Sequence, residues 1–448
     1  MLFTISLKEI HDHLKSPVFL LGALIVVFLT AYATMIGAND YRQRRDDCLA
    51  ARVSFGKKQL TYYMFREPNP MSIFAQGYDT RAGTTVIVRR DRIPVNTGGY
   101  MDIAGNSQSN RYDTGLLSID YAFVVRMVLS IFVIFLVFDV IAGERRRGTL
   151  KLMLANSVPR DTVLLGKMLG GWVMIIALLT VASVVSLALV FVNQGIQASS
   201  DMALRFFGIY AASVLYLTVF FALGLWISVV VNRSSTVLMT LLVVWVAITA
   251  VYPNLGCLIA QRLVRIPGEE ELWNTPSLQD AMRQFNDEFG REVQASVESR
   301  NKSRSDQLRH LASADRIRER EARLIYNVER ARVDALDRQA SLASMLTMAS
   351  PAAIYDQAVI LIAGTSSDDY DRFFEYVRHT WEIISRANQI KFQDRTASGK
   401  ILESIEPFHP GGVRSNLPKA MYFLGILGIL SILFFALAYT GFLRKDIR

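Results

Sequence analysis

The residues most suited to chemistry in this sequence form a charged cluster between two long apolar runs. Positions 138–167 read FDVIAGERRRGTLKLMLANSVPRDTVLLGK, with FVVRMVLSIFVIFLV before them and MLGGWVMIIALLTVASVVSLALVFV after them. An inert connection between neighbouring helices needs only a few polar residues. Dense basic groups make electrostatic contacts with a lipid surface or a protein partner. The cluster therefore predicts an anchoring or docking site and not a catalytic one.

Motifs that carry catalysis or cofactor binding are absent from the sequence. It has no GxxxxGK[ST] phosphate-binding loop, and no HExxH, CxxC or GxSxG. His11 and His13 are two residues apart and lie on different faces of a helix, which disfavours metal ligation. Cys48 and Cys257 are predicted to stay unpaired, with a disulfide in an oxidising compartment as the alternative. We therefore expect no enzymatic activity, cofactor or metal site in this chain.

Apolar residues are concentrated in six long runs. The chain has 448 residues, of which 51% are hydrophobic, and a helix needs about 20 apolar residues to cross a hydrocarbon core of about 30 Å. The third and fourth runs exceed this length, so they are expected to tilt or to extend along the interface. The sequence predicts an α-helical polytopic membrane protein with six transmembrane helices. The predicted spans cover residues 17–37, 121–142, 163–192, 204–231, 235–254 and 418–443.

Residues 1–16 have the pattern of an amphipathic helix before the first span. Four apolar residues fall on one helical face, namely Phe3, Leu7, Ile10 and Leu14. This pattern predicts an interfacial elbow helix. A signal peptide cleaved after Ala31-Tyr-Ala33 is the alternative, although Glu9 and Asp12 are atypical of its positively charged start.

Lysine and arginine near the ends of the spans predict the orientation in the membrane. Short cytoplasmic connections carry an excess of these residues. Six spans place both termini on the same side as the connection 143–162, so the termini and the tail 444–448 are expected to be cytoplasmic. The net charge of +9 then needs no nucleic-acid partner. Arg126 and Asp139, inside the second span, lie near its ends, and their side chains are expected to reach toward the interfaces.

Two long segments are predicted to lie outside. Residues 38–120 combine a polar helix-like start with TTVIVRRDRIPV, which is typical of a β-strand, and with turns such as NTGGY and DIAGNSQSN, so they predict a small α+β domain. In that domain REPNPMSIFAQGYD is interpreted as a packing loop, with a ligand-binding loop as the alternative.

Residues 255–417 predict a long helical-hairpin domain. Apolar residues recur every three or four positions through 278–297 and again through 308–346, with a polar turn at 301–305. Helices of this length would reach about 50 Å. The apolar stripes serve either an internal core or an extracytoplasmic partner.

The cluster and its surroundings resemble the ABC-2-type transporter permeases. An acidic-basic-Gly-Thr-Leu run follows the second span, Val158-Pro159-Arg160 precedes the third, and Leu165-Gly166-Lys167 opens it. The resemblance implies that a short coupling helix docks in a groove of a separate cytoplasmic ABC ATPase, which binds ATP and Mg²⁺. Glu144 suits the positive start of this helix, and Gly148 is expected to allow close approach. The residues of the expected ATPase-coupling interface are Glu144, Arg145, Arg146, Arg147, Gly148, Thr149, Leu150, Pro159, Arg160 and Lys167.

The resemblance extends to a subgroup with two long extracytoplasmic insertions. Residues 69–77, Ser350-Pro351, Ala363-Gly364-Thr365 and the terminal 442–448 are similar to it. Permeases of multicopper-enzyme maturation and of gliding motility have this architecture, although the sequence lacks a Met/His copper cluster.

The resemblance implies a permease subunit in a bacterial cytoplasmic membrane. Two ATPase copies and a second permease, identical or paralogous, would complete an exporter. The alternative is a mechanotransmitting or assembly subunit that acts on a periplasmic partner through 255–417 without translocation. A membrane sensor is disfavoured because the sequence offers no sizeable cytoplasmic output domain.

Overall fold

A computed structural model describes residues 2–55, 62–79, 83–89, 92–95, 119–148, 159–192, 199–300, 303–391 and 394–444. These residues are mostly helical, with one two-stranded sheet. Within the described residues, six helices are long and apolar enough to cross a membrane. These candidate spans match the predicted six in number, and the mostly helical class is confirmed.

The membrane half of the chain begins with helix α1 (Leu2–Lys15), where the sequence predicts the elbow helix, and the first span, α2 (Pro17–Phe55). The second span consists of α3 (Tyr121–Phe123), a π-helical turn (Val124–Leu129) and α4 (Ser130–Val137), and the short α5 (Ala142–Arg147) follows it. The third and fourth spans are α6 (Arg160–Val192) and α7 (Ser200–Val230). The fifth combines α8 (Ser234–Val246), a second π-helical turn (Ala247–Val251) and α9 (Tyr252–Leu263).

A short 3-10 helix (Pro70–Ile73) lies in the first extramembrane segment. The remaining described helices outside the spans lie between the fifth and sixth spans. They are α10 (Glu269–Trp273), α11 (Pro276–Ser299), α12 (Arg304–Thr347), α13 (Pro351–Ala363), α14 (Ser367–Lys391) and α15 (Arg395–Glu403). The sixth span is α16 (Val413–Arg444).

Several helices are longer than the apolar runs that predicted them. The predicted span 17–37 covers only the first part of α2, which continues as one helix to Phe55 because no proline interrupts the polar residues that follow. The fifth-span helix likewise runs past residue 254 to Leu263, and α16 begins at Val413, before Pro418. An apolar run marks where a chain can cross hydrocarbon, and helix ends depend instead on caps and tertiary contacts.

Described residues of the two extramembrane segments share one hydrophobic core, whereas the sequence predicts a separate domain for each segment. Strand β1 (Tyr62–Phe65) pairs antiparallel with β2 (Thr85–Val88), with Tyr62 opposite Val88. We call the unit of this sheet, α11, α12, α14 and α15 the extramembrane domain. Its shared core joins residues far apart in the sequence, namely Val86, Val88, Ile93, Ala322, Tyr370, Phe373, Phe374, Val377, Trp381 and Ile384.

The predicted hairpin takes the form of α11 packed against a longer partner, α12. The helices have 24 and 44 residues, and the far part of α12 packs against α9, which extends the fifth span. The stretch at 66–79 packs into the protein interior, where Met71, Ile73 and Phe74 are buried. Cys48 is buried, Cys257 is exposed, and both are free. The turns NTGGY and DIAGNSQSN lie outside the described residues.

Candidate functional site

The short helix α5 lies directly after the second span, where the sequence predicts a coupling helix. It ends at Gly148, whose φ of +76° is the left-handed conformation that often ends helices. Among the described residues, a Cβ at Gly148 would meet nothing within 4 Å. Glycine is therefore favoured here by backbone conformation, and the close approach expected at Gly148 stays a prediction. Within the chain, close approach occurs at Gly143, where a Cβ would lie 2.3 Å from the Asp139 carboxylate.

A buried ion-pair triad holds α5 in place. Lys167 Nζ, at the start of α6, lies 2.9 Å from Glu9 Oε2 and 3.0 Å from Glu144 Oε1. The Lys167 side chain is only 2% exposed, and the Glu9 and Glu144 side chains are 12% and 10% exposed. Buried charges are retained in a fold when they are paired. The triad thus ties the elbow helix, α5 and the third span to one another.

The elbow helix α1 packs on a glycine face of the third span. Ser6 Oγ donates a hydrogen bond to Gly166 O at 2.9 Å. A Cβ on Gly166 would lie 2.9 Å from Ile5 Cβ, and a Cβ on Gly170 would lie 2.8 Å from Glu9 Cβ. Both glycines are therefore needed for the close approach of the two helices.

Two predicted arginines contact the ends of other spans. Arg145 Nη1 donates to Asn232 Oδ1 at 2.9 Å, just after the fourth span. Arg160 Nη1 donates to Leu443 O at 3.2 Å, at the end of the sixth span. Cations near helix C-termini are favoured by the helix dipole. The side chain of Arg146, in contrast, is exposed.

The remaining predicted interface residues are placed only in part. Pro159 is exposed immediately before α6. Arg147 belongs to α5, and its side chain lies outside the described set. Thr149 and Leu150 fall in 149–158, outside the described residues.

The turn between the second span and α5 is fixed by a residue that the sequence did not single out. Ser228 Oγ, in the fourth span, accepts hydrogen bonds from Ile141 N at 3.3 Å and Ala142 N at 3.2 Å and donates to Phe138 O. Ser228 and Glu9 are both distant from α5 in the sequence and carry no motif. Only the fold brings them to the site.

The described residues contain no group of three or more His, Cys, Asp or Glu that could hold a metal ion. The contacts described above at this site are ion pairs, hydrogen bonds and close helix packing. These features can fix the position of α5 and pass its displacement to the spans that it contacts.

A family model described as ABC-2 family transporter protein matches residues 3–447. The chain belongs to the ABC-2 family of transporter proteins. This confirms the family-level resemblance, and it makes the chain a multi-pass membrane component of a transporter, with an ABC ATPase as the partner that the family implies. Comparison with curated proteins finds no match.

Proposed function

We propose that this ABC-2 family chain is the permease subunit of an ABC exporter, coupling ATP hydrolysis in a separate subunit to movement of its spans. The observation that carries the proposal is the attachment of α5. Its Glu144 pairs with Lys167 of the third span, which also pairs with Glu9 of α1. The Arg145 contact and the Ser228 hydrogen bonds connect it to the fourth span and the segment just after it. A push on so firmly attached a helix must move those elements with it.

The predicted interface residues divide into two roles in this proposal. Glu144 and Lys167 are buried and set the position of α5. Arg146 is exposed and contacts the ATPase, together with Arg147, Thr149 and Leu150. ATP and Mg²⁺ are bound by two copies of the ATPase, and the α5 of this chain docks in a groove of one copy. A second permease, identical or paralogous, completes the complex.

The proposed location is a bacterial cytoplasmic membrane with both termini in the cytoplasm. Positive residues support this orientation: Arg233, between the fourth and fifth spans, and Arg444, at the end of the sixth, lie on the same side as α5. The extramembrane domain then faces the periplasm, as in the subgroup with two long insertions.

A decisive test is affinity purification of the tagged chain from its native cell, followed by mass spectrometry. The test variant is Arg146→Glu with Arg147→Glu, which reverses charge without touching the buried triad. Arg262→Glu with Arg265→Glu, exposed at the far end of the fifth span, is the matched control. We expect an ABC ATPase with the wild type and the control, and its loss from the test variant. Purification of every form without an ATPase, even after crosslinking, would overturn the proposal.

A second candidate function is mechanotransmission to a periplasmic partner without translocation. The extramembrane domain, which has its own hydrophobic core, favours it. A photo-crosslinking residue in place of Val297, which is 64% exposed on α11, would identify a contact in intact cells. A crosslink to one periplasmic protein, with no ATP-dependent movement of fluorescent phospholipid or peptide in reconstituted vesicles, would support this candidate over export.

A further inference from the structure

Helix α13 is a short apolar helix set among the spans at the edge of the extramembrane domain. Nine of its 13 residues are buried, and it packs against the fourth and sixth spans. A helix of this length is too short to cross a bilayer, which takes about 20 residues. Its contacts at both ends assign it a different role.

The C-terminal end of α13 forms a closed cap. Gly364 has a φ of +74°. The next residue donates a hydrogen bond from Thr365 N to Ile360 O at 3.0 Å. Together these features form a Schellman motif. A Cβ on Gly364 would lie 2.4 Å from Arg205 Nη1. Only glycine suits both this conformation and this contact.

Side chains from three separate elements donate to the carbonyls at this end. The last carbonyls of a helix have no partner within the helix, and partners from elsewhere satisfy them. Here the donors belong to the fourth span, the sixth span and the loop of the first extramembrane segment. They are Arg205 Nη1 to Ile362 O (3.1 Å), Asn416 Nδ2 to Leu361 O (3.2 Å), and Asn69 Nδ2 to Ala363 O and Gly364 O (both 2.9 Å).

Side chains at this cap also donate hydrogen bonds to neighbouring elements. Arg205 Nη2 donates to Gly411 O at 2.9 Å, just before the sixth span. Asn416 Nδ2 also donates to Asp369 Oδ2 at 3.0 Å, in the first turn of α14. Thr365 Oγ1 donates to Ala75 O at 3.0 Å. The cap therefore joins two spans to both segments of the extramembrane domain.

The rest of α13 contacts the π-helical turns of the second and fifth spans. Asp356 pairs with Arg126 in the first π-helical turn. At the N-terminus of α13, Ser350 Oγ donates to Ile248 O in the second π-helical turn. Such turns are rare, and they frequently lie at functional sites.

We infer that α13, with Arg205, Asn416 and Asn69, is the joint that carries movement of the spans to the extramembrane domain. The inference rests on the proposed function. A helix whose end is hydrogen-bonded to the fourth span, the sixth span and the loop at 69–77 cannot follow one of them without displacing the others. Arg205 and Asn416 are positioning residues: each is almost fully buried, at 5% and 4% exposure, and each links α13 to a span.

The test uses two spin-label pairs in the purified complex with its ATPase, on a Cys48→Ala, Cys257→Ser background. Arg283→Cys on α11 and Met421→Cys on the sixth span, both exposed, report the extramembrane domain. His11→Cys and Ser235→Cys, also exposed, report the side of α5. Distances are measured by pulsed electron resonance without nucleotide and with ATP plus vanadate.

The main variant is Asn69→Asp, which keeps the oxygen that accepts from Met71 N but loses the amide donor to Ala363 O and Gly364 O. Arg205→Lys is the second variant, and exposed Asn286→Asp and Arg414→Lys are the matched controls. We expect both label pairs to respond to nucleotide in the wild type and controls. In Asn69→Asp and Arg205→Lys the extramembrane response should fall by more than half, with ATPase activity within about twofold of wild type.

The outcomes separate the joint from the proposed function. An extramembrane response that is equal in wild type and in both variants would overturn the joint alone. So would a response confined to the α5 side in the wild type. A complex in which neither pair responds during ATP hydrolysis would overturn the proposed coupling, and the joint with it.

Discussion

At the scale of single residues, the unusual feature is a lysine buried against two glutamates. The sequence places Lys167 in the expected coupling interface, and in the structure its side chain is 2% exposed and paired within the chain. Removing one member of such a group leaves buried charge uncompensated, whereas replacing all members can be nearly neutral. Loss of one member of the triad should therefore destabilise the fold more than loss of all three, which is not expected of exposed charges.

We predict that Lys167→Met lowers the free energy of unfolding by about 3 kcal/mol or more, because two buried carboxylates lose their cation. The triple variant Lys167→Met, Glu9→Gln, Glu144→Gln should recover at least half of the loss. Thermal unfolding in mild detergent measures both. Lys8→Met, exposed on the same elbow helix, is the control and should change little. A loss in the triple variant as large as in Lys167→Met would show that the charges do not act as a unit.

His13 adds a pH dependence to the elbow helix. Burial lowers its pKa from the ordinary 6.5, and Lys167 acts in the same direction while Glu9 and Asp12 oppose it. Because the folded chain binds this proton less readily, the unfolded chain holds more protons as the pH falls below 6.5, and stability decreases. His13→Gln should therefore reduce the loss of Tm between about pH 7.5 and about pH 5.5. His11→Gln, at an exposed position, should leave that loss unchanged.

At the scale of elements, sequence patterns located the long helices well and the short ones poorly. Each of the six spans contains an apolar run that is long enough to be recognised in the sequence. Helix α13 was missed because AAIYDQAVILIA is shorter than a span and lies within a largely charged segment. The π-helical turns could not be predicted, since their sequences are as apolar as the α-helices around them.

The candidate site was predicted in position but not in internal structure. The charged run and the Pro159 break marked the segment after the second span, where the structure has α5. That segment bonds to Ser228, and its partner Lys167 pairs in turn with Glu9, which is 158 residues away in the sequence. Pairings over such distances depend on how the spans pack, which a single sequence does not reveal. The contacts of α13 were likewise not predictable from the sequence, because the bonded residues Asn69 and Ala363 are 294 residues apart.

The packing of the elbow helix on the third span makes an element-scale prediction. Gly166→Val places side-chain atoms where Ile5 now lies, and Gly170→Val places them where Ser6 O and Glu9 now lie. Overpacking of this kind typically costs about 1–3 kcal/mol. We expect α1 to detach before the spans unfold. Maleimide labelling of Ile5→Cys, on the Cys48→Ala, Cys257→Ser background, should become several-fold faster. Gly425→Val, at a position with open space around it, should leave the rate unchanged; equal labelling in all forms would contradict close packing.

At the scale of the whole molecule, the first span and the extramembrane domain meet at one buried carboxylate. Asp79 is 2% exposed; its oxygens lie 2.7 Å from Arg44 Nη1, in the continuation of the first span, and 2.9 Å from Arg66 Nη1. Arg66 in turn lies over the ring of Tyr370, 3.9 Å from its centroid, in the core of the extramembrane domain. One carboxylate thus bridges a span and a domain core.

Asp79→Asn should therefore separate the extramembrane domain from the first span without unfolding the membrane part. The amide keeps the shape of the side chain but removes the charge that compensates two buried arginines, a loss of about 3–5 kcal/mol. Hydrogen exchange should rise in 69–77 and in α14 and stay low in the fourth span. ATPase co-purification should persist, because α5 lies at the other end of the second span. Asp280→Asn serves as the control, because the Asp280 carboxylate is 67% exposed. If residues 69–77 of Asp79→Asn were as protected from hydrogen exchange as in the wild type, the bridging role of Asp79 would be contradicted.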